Sequence, residues 1–326
     1  MKRITGDLRA YIVISLIYLI LPVFLYDNSL FLHILIMCLV WGVVAASWDL
    51  VMGYAGIFSF GQLAFFTLGA YTTGLLTIHL GISTWLGILA AGAVTALIGA
   101  LMGLLSLRLK GVYIGLVTFA LHLVLVPLIR VNLAITGGAT GLLGIPSPSI
   151  GGFTFESVDK VPWYFMMLAI ASILAFVIYR LIHSPVGLAF TALRDSESFA
   201  KSLGVNDYKY MVLVFTVTSA LTGIIGAFYA HYVGIVSPRI LGLDQFLLVM
   251  IMVIVGGMGR FPGAIIAAPT FVIISELLRP LGVYRLIIFG AMVIIAMIFL
   301  PQGLMGVIDS VSASISRTFK GVGKRT

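Results

Sequence analysis

Apolar residues along this chain fall in long unbroken runs, and polar residues are confined to the gaps between them. The first run, residues 10–26, follows Lys2, Arg3 and Arg9. As a helix it is about 26 Å long, close to the hydrocarbon thickness of a bilayer. It ends in Tyr26, Asp27 and Asn28 with no small-x-small cleavage site, so it is expected to remain as a first span, not to act as a signal peptide. Further runs follow at 30–52, 57–79, 84–107, 111–129, 162–179, 211–236, 245–258, 263–278 and 284–300. The pattern predicts an all-α polytopic membrane protein, a bundle of about ten transmembrane helices, or eight plus a hairpin because the runs at 245–258 and 263–278 are short. Run 84–107 sets Gly92, Ala96, Gly99 and Gly103 at three- and four-residue steps, a spacing that lets membrane helices approach closely.

Residues 184–208 are the long polar interruption, and 132–161 form a second, Gly- and Pro-containing loop. Arg194, Asp195, Glu197, Lys201 and Asp207 would each cost about 2.5–3.5 kcal/mol at a helix centre in a bilayer, so 184–208 lies in water or against another protein. Its pattern is still helical: Leu188, Thr191, Ala192, Phe199 and Leu203 recur at near-helical spacings, Pro185 opens the run, and Gly204 with Asn206 supplies a stop. Two readings stand for this amphipathic helix, a solvated connector on the headgroups or a docking element.

Composition agrees with the pattern. The chain has 326 residues, 61% hydrophobic and 9% charged, with a mean hydropathy of +1.19, far from soluble globular composition. The net charge of +8 comes from residues scattered at the ends of runs, which excludes a nucleic-acid face. With the N-terminus inside and ten crossings, Arg130, Lys160, Arg239, Arg279 and Arg285 fall outside and the other 14 of the 19 basic residues inside. That bias is the one membrane orientation follows. Both termini and 184–208 are therefore expected in the cytoplasm, 132–161 outside, and 308–326 as a basic tail along the inner leaflet.

Candidate chemistry is sparse. Gly53, Tyr54, Gly56, Ser59, Gly61 and Gln62 form a glycine-rich stretch that weakens helix. A broken membrane helix exposes N–H and C=O groups of the kind that hold a polar solute, while the same glycines equally suit tight packing. Gly256 and Gly257 interrupt a later run, either as a re-entrant element or as a tight cytoplasmic turn at Arg260. Asp49, Asp244 and Glu276 are the acids near apolar runs, either coupling groups of an ion-driven transporter or surface residues at segment ends. No catalytic constellation and no paired metal spacing is present, and the tail at Gly321–Lys324 lacks the Ser or Thr of a phosphate loop.

Several motifs in order resemble a known family. GYAG with SFGQLAFFTLGAY, RLKGVYIGLVTFAL from Arg108, TGGATGL from Thr136, SPVGLAFTALRDSESFAKSLGVN, GGMGRFPGA and the closing LPQGL look like the M-type permease subunit of branched-chain amino acid ABC importers, nearly end to end. The resemblance implies a permease domain over 1–307 in a prokaryotic cell membrane, moving branched-chain amino acids inward, or another small solute such as urea or an amide. It also implies a second, related permease subunit, two cytoplasmic ATPases that bind ATP and Mg, and an extracytoplasmic solute-binding protein. No cofactor is expected on this chain. The helix at 184–208 would be the coupling helix seated in an ATPase groove, with Arg194, Glu197, Ala200 and Gly204 as its coupling residues. The general importer coupling motif, Glu-Ala-Ala-x-x-x-Gly, is met only at Ala200 and Gly204, and Ile57 and Gln62 stand where members often have glutamine and histidine.

Overall fold

Helix α2 (Ser29–Asp49) runs through the centre of the bundle. The Asn28 side chain caps it by accepting from the N–H groups of Leu30 and Phe31, and every residue from Cys38 to Asp49 is buried. Over that enclosed stretch the helix needs no polar stripe, in keeping with its apolar sequence. The computed structural model describes residues 11–13, 15–20, 22, 28–150, 153–155, 159–299 and 303–306. The 308–326 tail and much of the first predicted span lie outside them; within that span the described part forms α1 (Tyr11–Ile20).

After α2 the chain makes one π turn, Leu50–Tyr54, then runs as non-helical backbone to Gly61. Helix α3 (Gln62–His79) follows, then α4 (Thr84–Ser106), α5 (Val112–Val131) and the short α6 (Leu133–Thr136). Next come α7 (Lys160–Ile182), the amphipathic helices α8 (Pro185–Asp195) and α9 (Glu197–Ser202), and the long α10 (Asp207–Val233). A hairpin of α11 (Leu243–Gly256) and α12 (Gly263–Leu277) turns at a cis Phe261-Pro262 peptide, and α13 (Tyr284–Phe299) packs chiefly on α11.

The small-residue spacing in run 84–107 does what it predicted. Gly99 leaves no room for a side chain beside Ser219, Gly103 lies against Val212 and Gly92 against Ile224, so α4 and α10 pack with their backbones close. From the other side Gly223 meets both Thr95 and Gly69, and Gly226 sits on the Phe66 carbonyl, bringing α3 into the same contact.

Among the described residues six helices are long and apolar enough to cross a membrane: α2 with its π turn, α4, α5, α7, α10, and Tyr284–Gly306. The run read as a third span begins later, at Gln62, and α3 is not among the six. It carries Gln62, Thr67, Thr72, Thr73 and Thr77 and is buried between its neighbours rather than facing lipid. The hydroxyls of Thr67, Thr72 and Thr77 donate to carbonyls four residues back, which satisfies them without a partner helix. Helices α11 and α12, 14 and 15 residues, are short for a full crossing.

The loops sort to two ends. One end gathers Ser29, Lys160, the β1 (Leu142–Leu143) to β4 (Ile235–Val236) pair and the β2 (Ser149–Ile150) to β3 (Phe153–Thr154) hairpin. The opposite end gathers residues 53–58, 107–111, 184–207 and 257–262. The 132–161 loop is thus partly structured, and its two-residue strands are small additions to an all-α fold.

One expected element is corrected. The single helix over 184–208 is two helices, because Ser196 is extended at φ −159°. Its N–H closes α8 on the Ala192 carbonyl and its own carbonyl accepts from Ala200 to open α9. The expected stop is present: Gly204 has φ +85°, and the Asn206 side chain caps α10 by accepting from the Lys209 N–H.

A cleft between the broken helix and the amphipathic pair

The break after α2 follows from its glycines. Ala55 and Ile57 still donate to the carbonyls of Leu50 and Val51, but Gly56 takes φ +67° and the helix does not continue. The Trp48 indole then donates to the Ser59 carbonyl at 2.7 Å, and the Phe60 N–H donates to the Thr118 hydroxyl at 2.9 Å. These bonds draw the strand-like segment inward against α5. The amides of Gly56 and Phe58 donate to no group among the described residues.

Those amides border a cleft of about 490 Å³, closed by the 107–111 turn, the facing side of α8, and the start of α10. Its charged lining is balanced: Lys110, Arg194 and Lys201 stand with Asp195, Glu197 and Asp207. Lys201 bridges Asp207 and Glu197, both at 2.6 Å, which fixes the end of α9 to the start of α10. The hydrogen bonds to Asp207, then to Glu197, push the Lys201 ammonium above its ordinary value.

Behind the cleft three chain segments are tied together. The Asp49 carboxylate accepts the Gly259 N–H at 2.7 Å, the Tyr54 hydroxyl accepts the Phe261 N–H at 2.8 Å, and Arg194 Nη1 donates to the Gly53 carbonyl at 2.7 Å. Gly53 has to be glycine: a Cβ there would overlap the Asp49 carboxylate and the Gly259 backbone.

The predicted site residues therefore divide. Gly53 and Tyr54 belong to this tie, Gly56 and Glu197 line the cleft, and Arg194 does both. Ser59 is buried with its hydroxyl unpartnered among the described residues, Gly61 rests on Thr118, and the Gln62 amide donates to the Thr222 hydroxyl at 3.2 Å, joining α3 to α10. Gly256 packs on Gly263, and Gly257, at φ +102°, packs on Gly303. Ala200 is buried, and Gly204 faces open space. The apolar residues chosen for the amphipathic face point outward: Leu188 is 70% exposed, Phe199 64% and Leu203 69%. The buried residues of α8 are instead Gly187, Ala189 and Phe190.

Two features escaped the sequence reading. Asp49 serves Gly259 across 210 residues, a pairing no local pattern carries. His122 is buried in α5, bonded to the Leu241 carbonyl at 3.1 Å and stacked on Phe119 beside Phe246. A lone histidine inside an apolar run was the available signal for it. The other acids near apolar runs also have partners, Asp244 with Arg285 at 3.3 Å and Glu276 with Arg279 at 2.8 Å.

A bundle of membrane-crossing helices that encloses a stretch of non-helical backbone and opens it to a charged cleft is the architecture of a multi-pass transport protein. The chain belongs to the family described as branched-chain amino acid transport system / permease component, which matches residues 30–297. It is 31% identical over 290 residues to the high-affinity branched-chain amino acid transport system permease protein LivM of Salmonella typhimurium, covering 82% of this chain and 68% of that protein. The LivM protein of Escherichia coli is 31% identical over 278 residues, 79% of this chain and 65% of that one. The chain thus spans about two thirds of the length of these relatives. LivH of Salmonella typhimurium, a permease protein of the same named system, is 22% identical over 293 residues, 82% of this chain and 91% of LivH. No solved structure matches.

Proposed function

We propose that this chain is one of two related membrane subunits of an ATP-driven importer that carries branched-chain amino acids inward, and that it performs no chemistry itself. The observation that carries the reading is a set of exposed apolar side chains on α8, on α9 and just past its end. Leu188, Phe199 and Leu203 are exposed on elements too charged to enter lipid, so burying them calls for a protein groove. ATPase subunits docked there would move the helices that border the broken segment. Similarity to both LivM and LivH supports a second, related permease as the other membrane partner. An extracytoplasmic binding protein delivering solute belongs to the same reading, with the cleft and both termini in the cytoplasm.

An ion-driven carrier is the less favoured reading, because Asp49, Asp244 and Glu276 each already have a partner. The test is reconstitution: the chain with its second permease, ATPases and binding protein in lipid vesicles, assayed for uptake of labelled leucine. Uptake that requires ATP is the expected result. Uptake by this chain alone under an ion gradient would refute the importer reading. Replacing Leu188, Phe199 and Leu203 together by serine is expected to release the ATPases during purification while the chain still inserts.

A further inference from the structure

We propose that Arg194 is the residue through which the amphipathic pair moves the broken helix, a clasp turned into the bundle and not a docking residue for the ATPase. The inference rests on the importer reading. Arg194 lies in the last turn of α8, yet its guanidinium reaches back to the Gly53 carbonyl at 2.7 Å. Asp195 holds the rest of the fork, accepting from Nε and Nη2, both at 2.9 Å. The stem of Arg194 lies on Gly56, where a Cβ would overlap Arg194 Cγ, so the missing side chain at 56 makes the seat.

The same head group also reaches the second non-helical turn. A Cβ at Gly259 would come within 2.9 Å of Arg194 Nη1, and the Gly259 N–H is the one held by Asp49. One side chain from the polar element thus bonds the break at 53–56 and lies close beside the turn at 259. The Gly53 carbonyl lies at the end of a helix, where no further turn supplies its N–H partner. A planar guanidinium serves it and Asp195 at once in a fixed geometry, which an ammonium on a flexible stem does not reproduce. When α8 shifts, Arg194 drags or releases the broken segment. Asp195 is a positioning residue for it.

The experiment uses the assembled importer in vesicles with its binding protein, measuring labelled leucine uptake and ATP hydrolysis on the same samples. Arg194→Met is expected to keep its ATPase subunits and hydrolyse ATP, but to move about tenfold less leucine per ATP, the loss of a hydrogen bond from a charged donor. Arg194→Lys, which retains a charged donor without the fork geometry, is expected to recover part of it. Asp195→Asn is expected to lower the same ratio less, and it carries the test should Arg194→Met not assemble. An unchanged leucine-to-ATP ratio in Arg194→Met or, where that variant fails to assemble, in Asp195→Asn overturns the proposal. So does loss of the ATPase subunits from an otherwise inserted Arg194→Met chain, which would make Arg194 a docking residue. A wild-type importer without ATP-dependent uptake would defeat the importer reading instead, and it is seen before any variant is made.

Discussion

The Asp49 carboxylate accepts the backbone N–H of Gly259 at 2.7 Å, joining the end of α2 to the turn between α11 and α12. Asp49→Ala leaves that N–H without a partner and is expected to cost about 1–3 kcal/mol, whereas Asp49→Asn keeps an acceptor in place and costs less. Thermal unfolding of the two variants in detergent ranks them, and equal losses would contradict the assignment.

Gly53 and Gly61 flank the same break but differ in surroundings. A side chain at Gly53 overlaps Asp49 and Gly259, while one at Gly61 makes contacts of 3.4 Å or more, to Thr118 and Phe65. Gly53→Ala is expected to lose about 1–3 kcal/mol through overpacking, with Gly61→Ala near wild type. Folded yield by size-exclusion chromatography reads the difference.

The Lys201 link between α9 and α10 has a defined pH dependence. Pairing with Asp207 and Glu197 raises the ammonium above its unfolded value, so the stabilisation is complete below that value and fades as pH climbs through the folded one. The link is therefore intact at neutral pH and is lost only in strong alkali. Because solvent reaches both pairs, high salt weakens them, the Glu197 pair more than that of the half-buried Asp207. Hydrogen exchange across residues 197–207 should stay flat from pH 7 to pH 9, once corrected for intrinsic rates, and should rise in Lys201→Gln at either pH.

Ala200 and Gly204 give different results under substitution. Ala200 is 1% exposed, so Ala200→Glu buries a charge and is expected to unfold α9. Gly204 faces open space at φ +85°, so Gly204→Asn, which tolerates that conformation, should be almost neutral for folding. Proteolysis of the 184–208 region distinguishes them: rapid cleavage for Ala200→Glu, and a wild-type pattern for Gly204→Asn.

The sequence by itself determined the helices. A bilayer leaves backbone groups no partner but their own helix, so each crossing must be written as a long apolar run, and such runs are visible without a structure. The glycine steps of α4, the break at 53–61 and the stop at Gly204 are legible for a similar reason, since each depends on what one residue type allows its own backbone. Tertiary structure decided the rest. The glycines announced a break, but not that Trp48 and Thr118 would hold residues 57–61 off the helix so that it starts only at Gln62. The spacing of α8 marked Leu188 as apolar but not which side the bundle would cover, and the bundle covers Phe190. Arg194 reaches Gly53 across 141 residues, and Asp49 reaches Gly259 across 210. Such pairings arise from how helices stack, and a linear pattern of apolar and polar positions constrains each helix's environment while leaving its partners unnamed.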